Sequence, residues 1–203
     1  FLGIQRPALT KALSPVFKRH RLSDAARWRA TVSTLFLEAE HREERYAALA
    51  LMGRARYRAW LRPDALPLCE ILIVEGGWWD IVDDVATRKV GAVLASHRAE
   101  VTPQLRIWAT AENRWVRRGS VLAQLKHKGE TDRGLLGYAI ERNLDDGDFF
   151  LRKAIGWALR EYAKTSPDWV VAFVERHGER LSTLSRREAL RILRRERRPI
   201  SPD

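Results

Sequence analysis

A chain of 203 residues has room for one generous domain or two small ones. Hydrophobic residues make up 45% and charged residues 31%, a balance that builds a core and excludes a wholly disordered chain. Lys and Arg number 37 against 26 Asp and Glu, a formal net charge of +11 at pH 7. That surplus favours a polyanionic partner, nucleic acid first and an anionic membrane surface second. A single cysteine, Cys69, leaves no disulfide framework and no cysteine-rich zinc site, and fits a reducing cytoplasm, bacterial cytoplasm or nucleoid. No apolar run reaches about 18 residues, so no transmembrane helix is expected, and no signal-peptide pattern opens the chain. The chain begins at Phe1 rather than Met, so a missing natural N-terminus is the expectation.

The periodicity is helical almost throughout, without strand alternation. Ser23-Asp24 reads as an N-cap, with Trp28, Val32, Leu35 and Phe36 following at helical spacing. A long helix is expected from Glu43 to Tyr57, carrying Tyr46, Leu49 and Met52 or Gly53 on one side. Pro63-Asp64 and Pro67 mark a turn and a helix start. Helices follow from Trp79 to about Leu94, from Pro103 to just before Asn113, and over 115–128, 132–143, 149–164, 167–176 and 185–197. Gly76-Gly77, Gly129, Gly147, Ser166-Pro167 and Gly178 separate them. About eleven helices result.

These helices repeat. The first members of successive pairs start near residues 43, 79, 115, 150 and 185, in steps of 36, 36, 35 and 35. Helix pairs at that period predict an all-α fold, an α-solenoid of HEAT-like repeats whose stacking curves around a concave groove. Overlaying the repeats puts Arg45, Asp83, Arg118, Lys153 and Arg187 in one column. It is either a solvated face on which charges vary freely or the lining of a basic groove holding one carboxylate. A carboxylate facing a polyanion is repulsive and needs a compensating task.

Trp79 and Asp83, four apart, share a helix face, and Trp157 stands in the same relation to Lys153. Each tryptophan is either core or an aromatic wall beside the carboxylate. Trp78 and Val82 read as core. Arg118 could pair with Asp83 or grip a phosphate bidentately. Other chemistry finds little support. The five histidines lack metal-ligand spacing, and there is no phosphate loop or nucleophile elbow. Cys69 reads as a small core residue. The acidic run Asp145, Asp146 and Asp148 reads as a turn capping the next helix. Neither a metal nor a cofactor is expected.

At this point the sequence resembles a known family, the AlkD-like DNA alkylation repair enzymes, which are HEAT-like-repeat DNA glycosylases. The matching segments are Phe1-Leu2-Gly3-Ile4-Gln5 with Pro7, Trp78-Trp79-Asp80-Ile81-Val82-Asp83, and Asn113-Arg114-Trp115-Val116-Arg117-Arg118. Gln124-Leu125-Lys126-His127-Lys128, the block from Asp148 to Tyr162, and Leu184-Ser185-Arg186-Arg187-Glu188-Ala189 continue the match over nearly the whole chain. The tryptophan–aspartate block and the 149–162 block are the most specific. Two departures stand out: the family's helical segment ahead of the Phe-Leu-Gly-Ile block is absent, and Gly119-Ser120 replaces small apolar residues after Arg118. The expected organisation is one glycosylase domain over 1–203.

The resemblance implies a monofunctional glycosylase acting on cationic N3- and N7-alkylated purines, 3-methyladenine and 7-methylguanine, in duplex DNA. It implies that Asp83 is the catalytic carboxylate, that Trp79 and Trp157 flank the deoxyribose of the lesion, and that Arg118 holds an adjacent phosphate. Arg45, Lys153 and Arg187 would add sequence-general backbone contacts. Nearby cations are expected to depress the pKa of Asp83. A monomer suffices for such binding, and no membrane is involved. Two other readings remain open: a non-catalytic solenoid for distorted or branched DNA, and a protein-binding scaffold, whose binding salt would leave unchanged.

Overall fold

The structure, a computed structural model, describes residues 1–196. Among these residues every regular element is helical, as the periodicity predicts. Residue 197, the expected end of the last helix, lies outside the described residues. α1 (Arg6–Arg19), α2 (Ala25–Leu37), α3 (Arg42–Met52) and α4 (Leu66–Gly76) open the chain. α5 (Trp79–Asp84), a π-helical segment (Val85–Val90) and α6 (Gly91–Ser96) then run on as one helix over 79–96. α7 (Arg98–Trp108), α8 (Arg114–Leu122), α9 (Arg133–Glu141), α10 (Phe149–Ala163), α11 (Pro167–Arg176), α12 (Thr183–Ala189) and α13 (Arg191–Glu196) complete it.

The starts of α3, α5, α8, α10 and α12 reproduce the expected repeat. α8 packs between the 79–96 helix and α10, and α10 packs between α8 and α12. The period also appears as hydrogen bonds between residues one repeat apart. The Asn143 amide donates to the Ala109 carbonyl at 2.9 Å, Ser185 to the Arg152 carbonyl at 2.8 Å, and Trp108 Nε1 to Glu70 at 3.0 Å. Close backbone approach supports the stacking: a Cβ on Gly156 would stand 2.6 Å from Glu188 Cβ, and one on Gly91 2.6 Å from the Ala123 carbonyl. One apolar cluster runs from Trp28, Val32 and Phe36 to Leu135, and a second, interleaved with it in sequence, from Ala86 to Ala189.

Several local expectations hold. Asp24 caps α2 through the Arg27 amide at 2.8 Å. Gly77 ends α4 at φ +48°, where glycine is favoured. Asp148 caps α10 through the Leu151 amide, and Asp146 accepts from the Asp148 amide. Cys69 is fully buried, and burial pushes its thiol up to about 12. Gly119 fits against Ile73 and Trp108, and Ser120 satisfies its hydroxyl on the Leu105 carbonyl at 2.8 Å.

Others need correction. The helix expected over Glu43–Tyr57 stops at Met52, and a 3-10 turn (Ala55–Trp60) follows. Pro103 lies inside α7 rather than at its start. It sits on the exposed face, so the Ala99 carbonyl it leaves without an amide partner is open to water. The helix expected over 115–128 ends at Leu122. α1 was not anticipated, although Leu9, Leu13 and Phe17 recur along it at helical spacing; none of its residues is fully buried.

Candidate functional site

The Trp-Trp-Asp block begins where Gly77 turns the chain. Trp78 occupies the N-cap position of α5 in extended backbone, which points the two tryptophans in different directions. Trp78 is 44% exposed, so it is not core. It meets the rings of Trp115 and Phe150 at centroid distances of 6.3 and 5.4 Å. Trp79 starts the helix and is also half exposed, whereas Ile81 and Val82 fill the core beneath.

One turn on, Asp83 accepts a forked pair of hydrogen bonds from Arg118. Arg118 Nε donates to Oδ1 at 2.7 Å and Nη2 to Oδ2 at 2.8 Å. The third guanidinium nitrogen, Nη1, donates to the Phe150 carbonyl. Arg118 is 4% exposed, so the guanidinium is held by α5 and α10 at once and cannot swing out freely. Thr87 donates its hydroxyl to the Asp83 carbonyl at 2.7 Å, which fixes the turn between α5 and the π segment. Such a bidentate pair orients a carboxylate in one plane.

The protonation balance differs from expectation. Burial raises the Asp83 pKa above the ordinary carboxylate value, against the opposing pull of Arg118, and the charge of Asp80 adds to the rise. One arginine therefore does not depress the pKa, because the loss of water outweighs the pair.

Asp83 lines an open cleft of about 510 Å³ together with Trp79 and Trp157. Lys126 and Leu125, in the turn after α8, and Arg6 from α1 reach the same cleft. Of the residues singled out from the repeats, Asp83 and Arg118 are brought together, and Trp79 and the partly buried Trp157, which also packs against the second apolar cluster, line the same cleft. The other three lie elsewhere. Arg45 donates to the Glu75 carbonyl at 3.0 Å, with its guanidinium over Phe36. Lys153 pairs with Glu188 at 2.9 Å. Arg187 is exposed on α12. Sequence reasoning gave no role to Lys126, whose signal was its place in the Gln124–Lys128 block. It missed Arg6 entirely.

Stacked helix pairs with a buried, oriented carboxylate in a cleft lined by two tryptophans define a HEAT-like solenoid with a candidate site. The DNA alkylation repair enzyme family matches residues 1–193. The chain belongs to that family, of the AlkD-like kind, and its function lies in DNA alkylation repair. Among solved structures it is similar to a predicted DNA alkylation repair enzyme from Enterococcus faecalis. The two share 28% identity and a TM-score of 0.78, over 95% of this chain and 88% of that one. A comparison with curated proteins gives no match. No described helix is long and apolar enough to cross a membrane.

Proposed function

We infer that the protein is a monofunctional DNA glycosylase that releases cationic N3- and N7-alkylated purines, such as 3-methyladenine and 7-methylguanine, from duplex DNA. The observation that carries this is the Asp83 carboxylate, oriented by Arg118 at the cleft that Trp79 and Trp157 line. Alkylation at N3 or N7 leaves the base positively charged. When the bond from deoxyribose C1′ to N9 breaks, its electron pair goes to the base and neutralises it, so no strong general acid is needed. Positive charge develops on the sugar. A fixed carboxylate in a partly dry site stabilises that charge without reorganising. Water then bonds to C1′, and its proton passes to the Asp83 carboxylate and on to solvent. A raised pKa makes this carboxylate a better proton acceptor.

The division of labour among the cations follows from geometry. Arg118 positions Asp83, and its buried guanidinium is committed. Phosphate contacts fall first to the exposed Lys126 at the cleft edge, with Lys153, Arg187 and Arg45 further along the repeats. The lysine that lines the cleft, Lys126, is assigned to a phosphate rather than to an imine, so the expected product is an abasic site in an uncut strand.

One observation favours the second reading, a non-catalytic solenoid for distorted DNA: Asp83 is fully paired, as a purely structural carboxylate would be. Release of 7-methylguanine from alkylated duplex DNA separates the two. Binding without release supports the non-catalytic solenoid. Binding insensitive to salt would instead support a protein scaffold.

A further inference from the structure

Next to the cleft, and sharing Arg6, Asp84 and Arg88 with it, lies a second cavity to whose anchor, Lys89, the glycosylase reading gives no role. It occupies about 530 Å³ between α1, α3 and the π segment. Its anchor is Lys89, whose side chain is only 7% exposed. The ammonium lies 3.6 Å from Asp84 Oδ2, beyond hydrogen-bond length, and among the described residues it makes no hydrogen bond. Asp84 is moreover shared: Arg88 Nε stands 3.2 Å and Arg6 4.0 Å from its other oxygen. With Arg54, four cations line the cavity against one carboxylate among the described residues. A buried ammonium without a full set of acceptors is unfavourable, and burial pulls the Lys89 pKa down from its ordinary value.

Two local features keep the ammonium there. The π-helical widening over Val85–Val90 shifts the register just after Asp83 and Asp84, and such widenings concentrate at functional sites. Gly53 leaves the space that Nζ occupies, since a Cβ there would stand 2.5 Å from it. The remaining walls, among them Leu9, Leu13 and Phe17, are apolar.

We propose that this cavity is a phosphate-group site for a nucleotide, with Lys89 as its buried anchor, Arg6 and Arg88 at its rim, and the apolar wall of α1 against the nucleoside. Asp84 reaches all three cations but stands 3.6 Å from Lys89 and 4.0 Å from Arg6, whereas a phosphate offers oxygens enough to engage Lys89, Arg88 and Arg6 each at hydrogen-bond length. The same chemistry is available from a free nucleotide or strand end, which carries a phosphomonoester, and from an internal strand phosphate, a diester.

The test is calorimetric titration of the whole chain with deoxyadenosine 5′-monophosphate, with deoxyadenosine, and with a dithymidine dinucleotide whose only phosphate is internal. At least one phosphate-bearing probe should saturate, and deoxyadenosine should not. Tighter monophosphate binding assigns the site to free nucleotides or ends, and tighter dinucleotide binding to the strand. Lys89→Met should weaken binding roughly tenfold or more, the loss expected for one charge-assisted contact. Gly53→Ala, which displaces the ammonium without removing it and lies outside the cleft, should weaken it several-fold and decides the matter if Lys89→Met does not fold; Arg6→Gln, at a rim position shared with the cleft, should weaken it as well. Absence of saturation with either phosphate probe, equal binding of deoxyadenosine, or wild-type binding by folded Lys89→Met would overturn the proposal. None of the probes is a glycosylase substrate, so the result is independent of base release.

Discussion

Asp83–Arg118 and Lys153–Glu188 are ion pairs of the same sequence separation, 35 residues, made by neighbouring first helices of the repeat. Their surroundings make them different objects. Arg118 is buried and forked onto Asp83, and burial lifts the carboxylate pKa. The Lys153 side chain is 42% exposed. Glu188 has Lys153, Arg160 and Arg191 around it, and these cations, Lys153 first, hold its carboxyl below the ordinary range. The repeat supplies the same bridge twice. Only the inner bridge lies at the cleft that Trp79 and Trp157 line. On the proposed reading the inner pair serves chemistry, while the outer one joins α10 to α12.

Breaking the inner pair should have the largest effect. Arg118→Ala leaves Asp83 buried without its partner, and the protein should lose about 3–5 kcal/mol of stability, read by urea unfolding. In any folded fraction the acid limb of base release should move to higher pH, because the remaining influences on Asp83, burial and Asp80, both raise its pKa. In the wild type the same sign holds in milder form. Release requires the ionised carboxylate, so it should fall as pH drops through a value above that of an ordinary aspartate. An acid limb at or below the ordinary value would contradict the burial argument.

Trp79→Ala removes a half-exposed ring from the cleft wall. It should lower release by roughly tenfold or more through lost positioning while changing the unfolding midpoint little, so a large stability loss would return Trp79 to the core. Lys126→Ala should weaken DNA binding evenly across sequences and reduce the slope of log K against log salt by about one. The outer pair gives the smallest effect: Lys153→Ala should cost about 1 kcal/mol or less, since one partner is well exposed.

The repeat was legible because helix pairs of nearly equal length stack, so that the first helices start in steps of 35 or 36 residues. Asp83 with Trp79 was legible as a shared helix face, and the family resemblance supplied its role. What was not legible depends on packing between repeats. A column of basic residues looks uniform in sequence, yet Arg118 is buried while Arg187 is exposed. Trp78 and Trp79 are adjacent, and nothing in their order marks Trp78 as an exposed N-cap residue. The π segment keeps an apolar rhythm, with Val85, Ala86 and Val90 buried, so the widened turn that places Lys89 leaves no periodic trace. α1 does carry the period, in Leu9, Leu13 and Phe17, but only partly buries it, and it lies outside the repeat that guided the reading.

The central claim is that Asp83 does chemistry rather than merely pairing with Arg118. The most direct measurement is single-turnover release of 7-methylguanine from alkylated duplex DNA by wild type and Asp83→Asn, at concentrations where both are fully DNA-bound. Asparagine keeps an acceptor for Arg118 and removes the charge. The account predicts release by the wild type and a loss of roughly 10²–10⁴-fold in the variant. Equal rates, or DNA binding without release by the wild type, would contradict it.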